Sequence, residues 1–391
     1  MRKIAVILIL IPSLWLTGCW NSREINELGF VLSIGLDKAG DGFKVTAQIA
    51  SPDTFSKTPS GSASTQKDKK PFWIVSSTGK TIFEAIRNMA SISSRRIFWA
   101  HIKVIVISEE LAKSNTLEIF DFFTRNPELR LRTLVAVTPD EAGKVIDVVP
   151  EMEKDPAIYL ENIINNKNLT GKSYGIMLKD FLEDYLDPNV GPVTSRVILD
   201  KSESRPVLKT SGAYVFDENK VSASLNEEQT RGFLWIQNEM NGSVMVVKSP
   251  DDNKPVTLEI KGSKSSYESD LQKDIPYFSI RVDVTANITE QGCLTDFNDM
   301  QKLNQLSKML ETAIREDIQS AITTAKDLKV DFLGLSRIFH RQHREEWYQV
   351  SSDWNEIFKD TEVTIIVKAN INHVSLAKPL KSAKIQKEYI R

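Results

Sequence analysis

The sequence predicts a multidomain α+β protein, and three observations carry that reading. Between residues 72 and 150 strand-like and helix-like patterns alternate, which is most simply satisfied by a mixed sheet with helices on one or both faces. Further on, "FSIRVDVTANI" sets Phe278, Ile280, Val282, Val284, Ala286 and Ile288 in alternation with polar residues, a strand with one dry and one wet face, suited to an antiparallel sheet. Directly after it, Met300, Leu303, Leu306, Leu310, Ile314, Ile318 and Ile322 recur at helical spacing from about Asp299 to Leu328. That is one long amphipathic helix, whose stripe should cover the dry face. The 391 residues, 41% of them hydrophobic, suffice for two or three packed cores at about 100–200 residues per domain.

The chain opens with "MRKIAVILILIPSLW", in which Arg2 and Lys3 precede an apolar run broken only by Pro12 and Ser13. The run falls short of the roughly 20 residues a spanning helix needs and has the layout of a secretory signal. The small residues Thr17 and Gly18 are then followed at once by Cys19. The pattern resembles a bacterial lipobox, in which the cysteine sulfur receives a diacylglyceryl group and cleavage makes that cysteine the first mature residue. Two acyl chains matter because burial is worth ~0.8 kcal/mol per CH₂ and one chain holds only marginally. Residues 1–18 are therefore expected to be a lipoprotein signal peptide and Cys19 the lipidation site. No other segment approaches the length of a span, so the lipid is expected to be the only intrinsic anchor. With Cys19 acylated, Cys293 is the one remaining thiol, and no intrachain disulfide can form.

Beyond the anchor, "LGFVLSIGLD" and "FKVTAQIA" read as strands joined through "AGDG", the second alternating Phe43, Val45, Ala47 and Ile49 against Lys44, Thr46 and Gln48. Residues 51–71, rich in Ser, Thr, Lys and Pro, read as a mobile insertion. "FWIVSS" leads into a helix with Thr81 and Glu84 as a capping box and Ile82, Phe83, Ile86, Met89 and Ala90 on one face. "IKVIVI" is a strand, and "TLVAVTPDEAGKVIDVV" is a strand whose Thr138 should cap a helix with Pro139 at its first position. A helix ends at "DPNVGP", and a domain boundary is placed near residue 200: an N-terminal α/β-type domain over 19–200 and a C-terminal α+β region over 201–391, with a subdivision near 255–275. In the second region "VLKTSGAYVF" should pair with "KVSASL" across "DEN", Asn226 should cap the next helix, and "EVTIIVKANI" is a last strand.

Composition and motifs argue against chemistry. The formal charge is −2, and loss of a leader carrying Arg2 and Lys3 makes the chain more acidic still, which disfavours nucleic acid. "GKT" at Gly79–Thr81 and "GKS" at Gly171–Ser173 lack the upstream glycine of a phosphate loop, since positions 74 and 166 are Ile and Asn. His340 and His343 in "FHRQHREEW" could face one way with Glu345 or Glu346, but the spacing matches no zinc pattern and Arg337, Arg341 and Arg344 crowd it, so a solvated basic face is the expectation. Arg95, Arg96, Phe98, Trp99 and His101 read as a loop entering a buried strand, and Trp235, Trp347 and Trp354 as core. No catalytic residue, metal site or cofactor is expected.

"CWNSREINELGFVLSIGLDK" resembles the mature N-terminus of the C-subunit lipoproteins of bacterial spore germinant receptors, through Cys19, Trp20, Arg23, Glu24, Ile25, Asn26, Ile34, Gly35 and Asp37. "FWAHIKVIVISEELA", "GAYVFDENKVSASLNEEQTRGFLWI" and "DFLGLSRIFHRQHREEWYQVSSDWNEIF" look like later segments of that family, in the family's order. Gln229 stands where the family usually carries an acidic residue. The resemblance implies a non-enzymatic lipoprotein on the outer face of the spore inner membrane, working with two integral-membrane partners, one transporter-like and one channel-like. Trp20, Arg23 and Glu24, close to the lipid, and Arg337, Arg341 and Arg344 are the candidate partner contacts. The competing expectation is a lipid-anchored solute-binding protein serving a transporter, which would show two lobes around a cleft.

Overall fold

The computed structural model describes residues 27–51, 70–114, 116–126, 128–153, 155–201, 205–272 and 275–372. The signal segment, Cys19, Trp20, Arg23, Glu24 and nearly all of the insertion lie outside the described residues.

The first half builds one large mixed sheet. Its elements in chain order are β1 Leu28–Ala39, β2 Gly42–Ala50, β3 Phe72–Gly79, α1 Ile82–Met89, β4 Arg96–Phe98, β5 Val104–Ser108, α2 Glu109–Ala112, α3 Leu117–Arg125, β6 Leu134–Thr138, α4 Ala142–Ile146, α5 Pro156–Asn165, α6 Lys167–Thr170, β7 Ile176–Met177, α7 Leu178–Tyr185, β8 Val193–Asp200, β9 Val207–Asp217 and β10 Lys220–Leu225. The strand order is β10-β9-β8-β6-β5-β1-β2-β3, with β4 beside β1 and β7 beside β6. β1, β5, β6 and β8 run parallel, flanked by antiparallel hairpins. β5 and β6 are buried throughout, as parallel strands covered on both faces must be. One face packs on α1, α3 and α7, the other on α4 and α5. The sheet continues past residue 200, with β9 and β10 pairing onto β8.

Three local expectations are corrected here. Thr46 and Gln48 do not form a wet face of β2: both are buried because α4 lies over them. Gln48 Nε2 donates to the Ile146 carbonyl (2.5 Å), Ser33 Oγ donates to Gln48 Oε1 (3.0 Å), and the Thr46 and Ser76 hydroxyls pair at 2.9 Å. In α1 the buried stripe is Ile82, Ala85 and Met89, whereas Phe83 is 50% exposed and Ala90 is exposed. The helix is rotated so that Phe83 faces a groove rather than the core. Thr138 does not cap a helix. Its hydroxyl accepts from Asp140 N, and α4 starts only at Ala142, where the Asp37 carboxylate of β1 accepts from Ala142 N (2.7 Å) and Gly143 N (3.0 Å). Gly35 lets that helix start approach, since a Cβ there would lie 2.9 Å from the Ala142 carbonyl carbon.

The Gly35 and Asp37 pair thus clamps β1 to an N-terminus on the far face of the sheet. Replacing Asp37 by Ala is expected to cost about 2 kcal/mol, the upper end for a lost cap, because the orphaned amides are buried. The check is a urea midpoint lowered at unchanged slope.

The second half is a four-stranded sheet under helices. α8 Glu227–Ile236 leads to β11 Val244–Lys248, β12 Pro255–Gln272, β13 Ile275–Gln291, α9 Met300–Leu328, α10 Leu335–Gln342, α11 Arg344–Val350, α12 Trp354–Phe358 and β14 Glu362–Asn372. Strand order is β11-β12-β13-β14. β12 occupies the region around 255–275 and pairs with β13 along its whole length. β14 runs parallel to β13, so this sheet is mixed rather than wholly antiparallel. The crossover from α9 to α12 returns the chain to the end at which β13 began. Leu306, Leu310, Ile314, Ile318 and Ile322 of α9 are buried against the sheet as the stripe requires, while Met300 in the first turn is 65% exposed. Asn226 caps α8 in a full capping box, its Oδ1 accepting from Gln229 N (2.8 Å) and its own N–H donating to Gln229 Oε1 (2.9 Å). An amide serves that box as well as a carboxylate, which accounts for Gln229.

One hydrophobic core is shared between the halves. Val193, Ala213, Val215 and Leu225 of the first sheet pack with Phe233, Trp235 and the residues beneath α9.

Candidate functional site

The basic-aromatic stretch from Arg337 to Trp354 is built around one buried carboxylate. Asp331 precedes Gly334, whose φ of 74° turns the chain into α10, a left-handed conformation that suits glycine. The Asp331 oxygens accept from Leu335 N (3.0 Å), Ser336 N (2.6 Å) and the Trp354 indole N–H (3.2 Å). Burial raises the pKa of this carboxyl, and the amide donors oppose that shift. The Trp354 ring then stacks on Phe339 and meets Trp347 and Phe278 edge-on, so Trp235, Trp347 and Trp354 are all core.

From this nucleus the chain reaches into the first half. The Asp331 carbonyl accepts from Gly191 N (3.2 Å), and Ser336 Oγ donates to the Asn189 carbonyl (3.2 Å). A Cβ on Gly191 would lie 2.3 Å from Val330 Cγ1. Arg337, one turn along α10, donates to Asp184 Oδ1 (2.5 Å) and Asp187 Oδ2 (3.2 Å). Burial raises the pKa of Asp184, against the opposing pull of Arg337. Arg337 is therefore not part of a solvated basic face: it ties the "DPNVGP" loop to α10, while Arg341 and Arg344 remain exposed. Because the pair is partly solvent-screened, Arg337→Ala is expected to cost only about 1 kcal/mol. Limited proteolysis should show faster cleavage after the α7 loop with the fold otherwise retained.

The two histidines are occupied by the same helices. His340 stacks on Trp347 at 5.3 Å, and His343 stacks on Phe339 at 4.9 Å with Nε2 2.8 Å from the Ser269 carbonyl. Among the described residues no group of three or more His, Cys, Asp or Glu is placed to hold a metal ion. Gly79 ends β3 and Thr81 caps α1, whereas Gly171 closes α6 at φ 63°, so both "GK" motifs are turns.

A groove of about 750 Å³ lies between α1 and α3, floored by Phe83, Ile86, Ile97, Trp99 and Phe122. Its acidic lining is spoken for in part: Asp121 receives Arg125 Nε (2.7 and 2.8 Å) and Glu128 receives Arg96 (3.3 Å). The groove lies within the first half of the chain. No helix among the described residues is long and apolar enough to cross a membrane.

Asp331, Asp184 and the capping role of Asp37 escape sequence reading because their partners are distant in the chain.

Comparison with known proteins accounts for both halves. The spore germination protein N-terminal domain matches residues 21–199, and the spore germination B3/GerAC-like C-terminal domain matches residues 211–375. Spore germination protein KC of Bacillus subtilis is 24% identical over 390 residues, covering 94% of this chain and 94% of the relative. Spore germination protein B3 of the same organism is 26% identical over 357 residues, covering 89% and 91%. The crystal structure of the GerBC protein superposes with a TM-score of 0.58 at 20% identity, covering 86% of this chain and 96% of that one, which establishes the shared two-part α+β fold. With both domain matches in tandem and in order, the chain belongs to the GerAC-like family of spore germination proteins.

Proposed function

We propose that this protein is a lipid-anchored, non-enzymatic subunit of a spore germinant receptor, needed for assembly of the receptor and for the response to nutrient germinants. The observation that carries the reading is the tandem family match across both halves of the chain. The lipobox at Cys19 supports it. Held by diacylglyceryl on the outer face of the spore inner membrane, the folded body works beside two integral-membrane subunits, one transporter-like and one channel-like. Tethering places it at high effective concentration next to them, so even weak contacts suffice. Trp20, Arg23 and Glu24 next to the lipid and Arg341 and Arg344 on α10–α11 are the proposed contact residues. Germinant recognition is assigned to the membrane partners.

Replacing Cys19 with Ala is expected to leave an uncleaved precursor or release the protein to the soluble fraction of disrupted spores, with germination lost. Mature, membrane-bound Cys19→Ala protein in spores lacking both partners would contradict the anchor.

A further inference from the structure

We infer that the sheet edge from which β1 starts is a membrane-docking surface that lies against anionic phospholipid headgroups. β1, β5 and β6 are parallel and in register, with Leu28 opposite Arg96, Ser33 opposite Val104 and Val104 opposite Leu134. The loops that feed these strands are therefore gathered at one end of the sheet, with Lys103 N bonded to the Leu32 carbonyl and Leu134 N to the Lys103 carbonyl. α1 and α3 also run out to this end, where the connections after Met89 and Arg125 turn back into the sheet.

The composition of the edge is unlike that of the whole chain. Segments 91–103 and 125–132 hold six Lys or Arg residues against one acidic residue, Glu128, in a chain whose formal charge is −2. Arg96 and Arg125 have surface carboxylate partners and Lys103 pairs with Glu161. Arg95, Arg130 and Arg132 are exposed and have no carboxylate partner among the described residues. Beside them Ile92 is 55% exposed and Leu131 46% exposed, and Phe30, Phe98 and His101 form an aromatic cluster at the start of β1. Basic groups around projecting apolar and aromatic side chains are what an anionic interface binds.

The occupant is chosen by where the chain enters. Glu27 leads into β1 at this edge, and the eight peptide steps back to Cys19 span at most roughly 30 Å at ~3.3–3.6 Å each. This edge is thus the part of the body held nearest the bilayer by the shortest leash. The orientation rests on the lipid-anchor reading, but the surface chemistry does not.

The test uses the mature chain from Cys19 bearing Cys19→Ser, so that no lipid contributes, sedimented with phosphatidylcholine vesicles containing or lacking phosphatidylglycerol. Binding is expected only to the anionic vesicles, weakening steeply with salt. It should fall about tenfold or more in the Arg95→Glu, Arg130→Glu, Arg132→Glu triple variant. Lys308→Glu, an exposed charge change on α9, should leave binding unaltered, and unchanged urea midpoints establish that each variant is folded. Absence of binding to anionic vesicles at low salt, equal binding by the triple variant, or equal loss with Lys308→Glu would each overturn the proposal. Because the assay omits the lipid, its failure leaves the Cys19 anchor standing, and release of Cys19→Ala protein tests that anchor separately.

Discussion

Gly232→Ala should be among the most damaging single-methyl changes in the described residues. α8 crosses α9 at Gly232, where a Cβ would lie 2.0 Å from the Asp317 carbonyl oxygen, 2.7 Å from its carbon and 2.9 Å from Ala321 Cβ. The nearest obstacles are backbone atoms in the middle of a long helix and cannot turn aside. The two helices must separate, opening the packing of Phe233, Leu234, Trp235 and Ile236, all of which are buried. Overpacking of cores costs 1–3 kcal/mol and occasionally more. At this site about 3 kcal/mol or more is expected, read as a lowered urea midpoint or loss of soluble protein. Ala321→Gly should not rescue the variant, because the closest clash is with backbone. A Gly232→Ala protein with the wild-type midpoint would show that α8 and α9 do not meet as described.

The neighbouring position gives the second large effect. Arg231 donates through Nε (2.9 Å) and Nη2 (2.8 Å) to the two oxygens of Asp317, whose side chain is only 4% exposed. Arg231→Met keeps much of the aliphatic volume but strands that carboxylate, at a cost of about 3–5 kcal/mol near neutral pH. The loss should depend on pH with a defined sign. Burial already raises the pKa of Asp317 in the folded protein, with Arg231 opposing, and removing Arg231 raises it further. A carboxyl whose folded pKa lies above its unfolded value binds its proton more tightly when folded. The deficit of the variant therefore shrinks as pH falls through that raised pKa, and grows again toward neutrality. Adding Asp317→Asn to Arg231→Met should remove most of the pH dependence. A deficit that stays constant between neutral and mildly acid pH would contradict the assignment.

What the sequence made legible was whatever has a local period. The alternation in β13 and β14, the stripe of α9 and the Asn226 cap are properties of a few successive side chains, and each is found where its pattern lies. β12 escaped because its second half, "GSKSSYESDLQ", is nearly all polar, with Tyr267 and Leu271 the apolar residues packed on the core, so alternation has little apolar signal to display. Corrections arose where a polar group is satisfied from far along the chain: Asp37 capping α4, Gln48 bonding Ile146, Arg337 reaching Asp184. Arg337 reads as solvated beside Arg341 and Arg344 because nothing in "SRIFHRQHREEW" reveals which face meets another domain. The family segments carry structural meaning at several of these points, since "IGLD" is the β1–α4 clamp and "TRGFLWI" the α8–α9 crossing. The lipobox and the residues beside it lie outside the described residues, and their role rests on sequence.

The central claim, that this body acts by assembly with membrane partners and not through chemistry or germinant binding of its own, is tested most directly by crosslinking in dormant spores. The chain carrying a photoreactive residue at Arg341 or Arg344, or labelled throughout at its lysines, is irradiated or crosslinked in place, and its adducts are identified by mass spectrometry. The account predicts adducts with integral-membrane receptor subunits that disappear when those subunits are deleted. Recovery of the membrane-anchored chain without any membrane-protein adduct, under conditions that crosslink other lipoproteins to their partners, would contradict it.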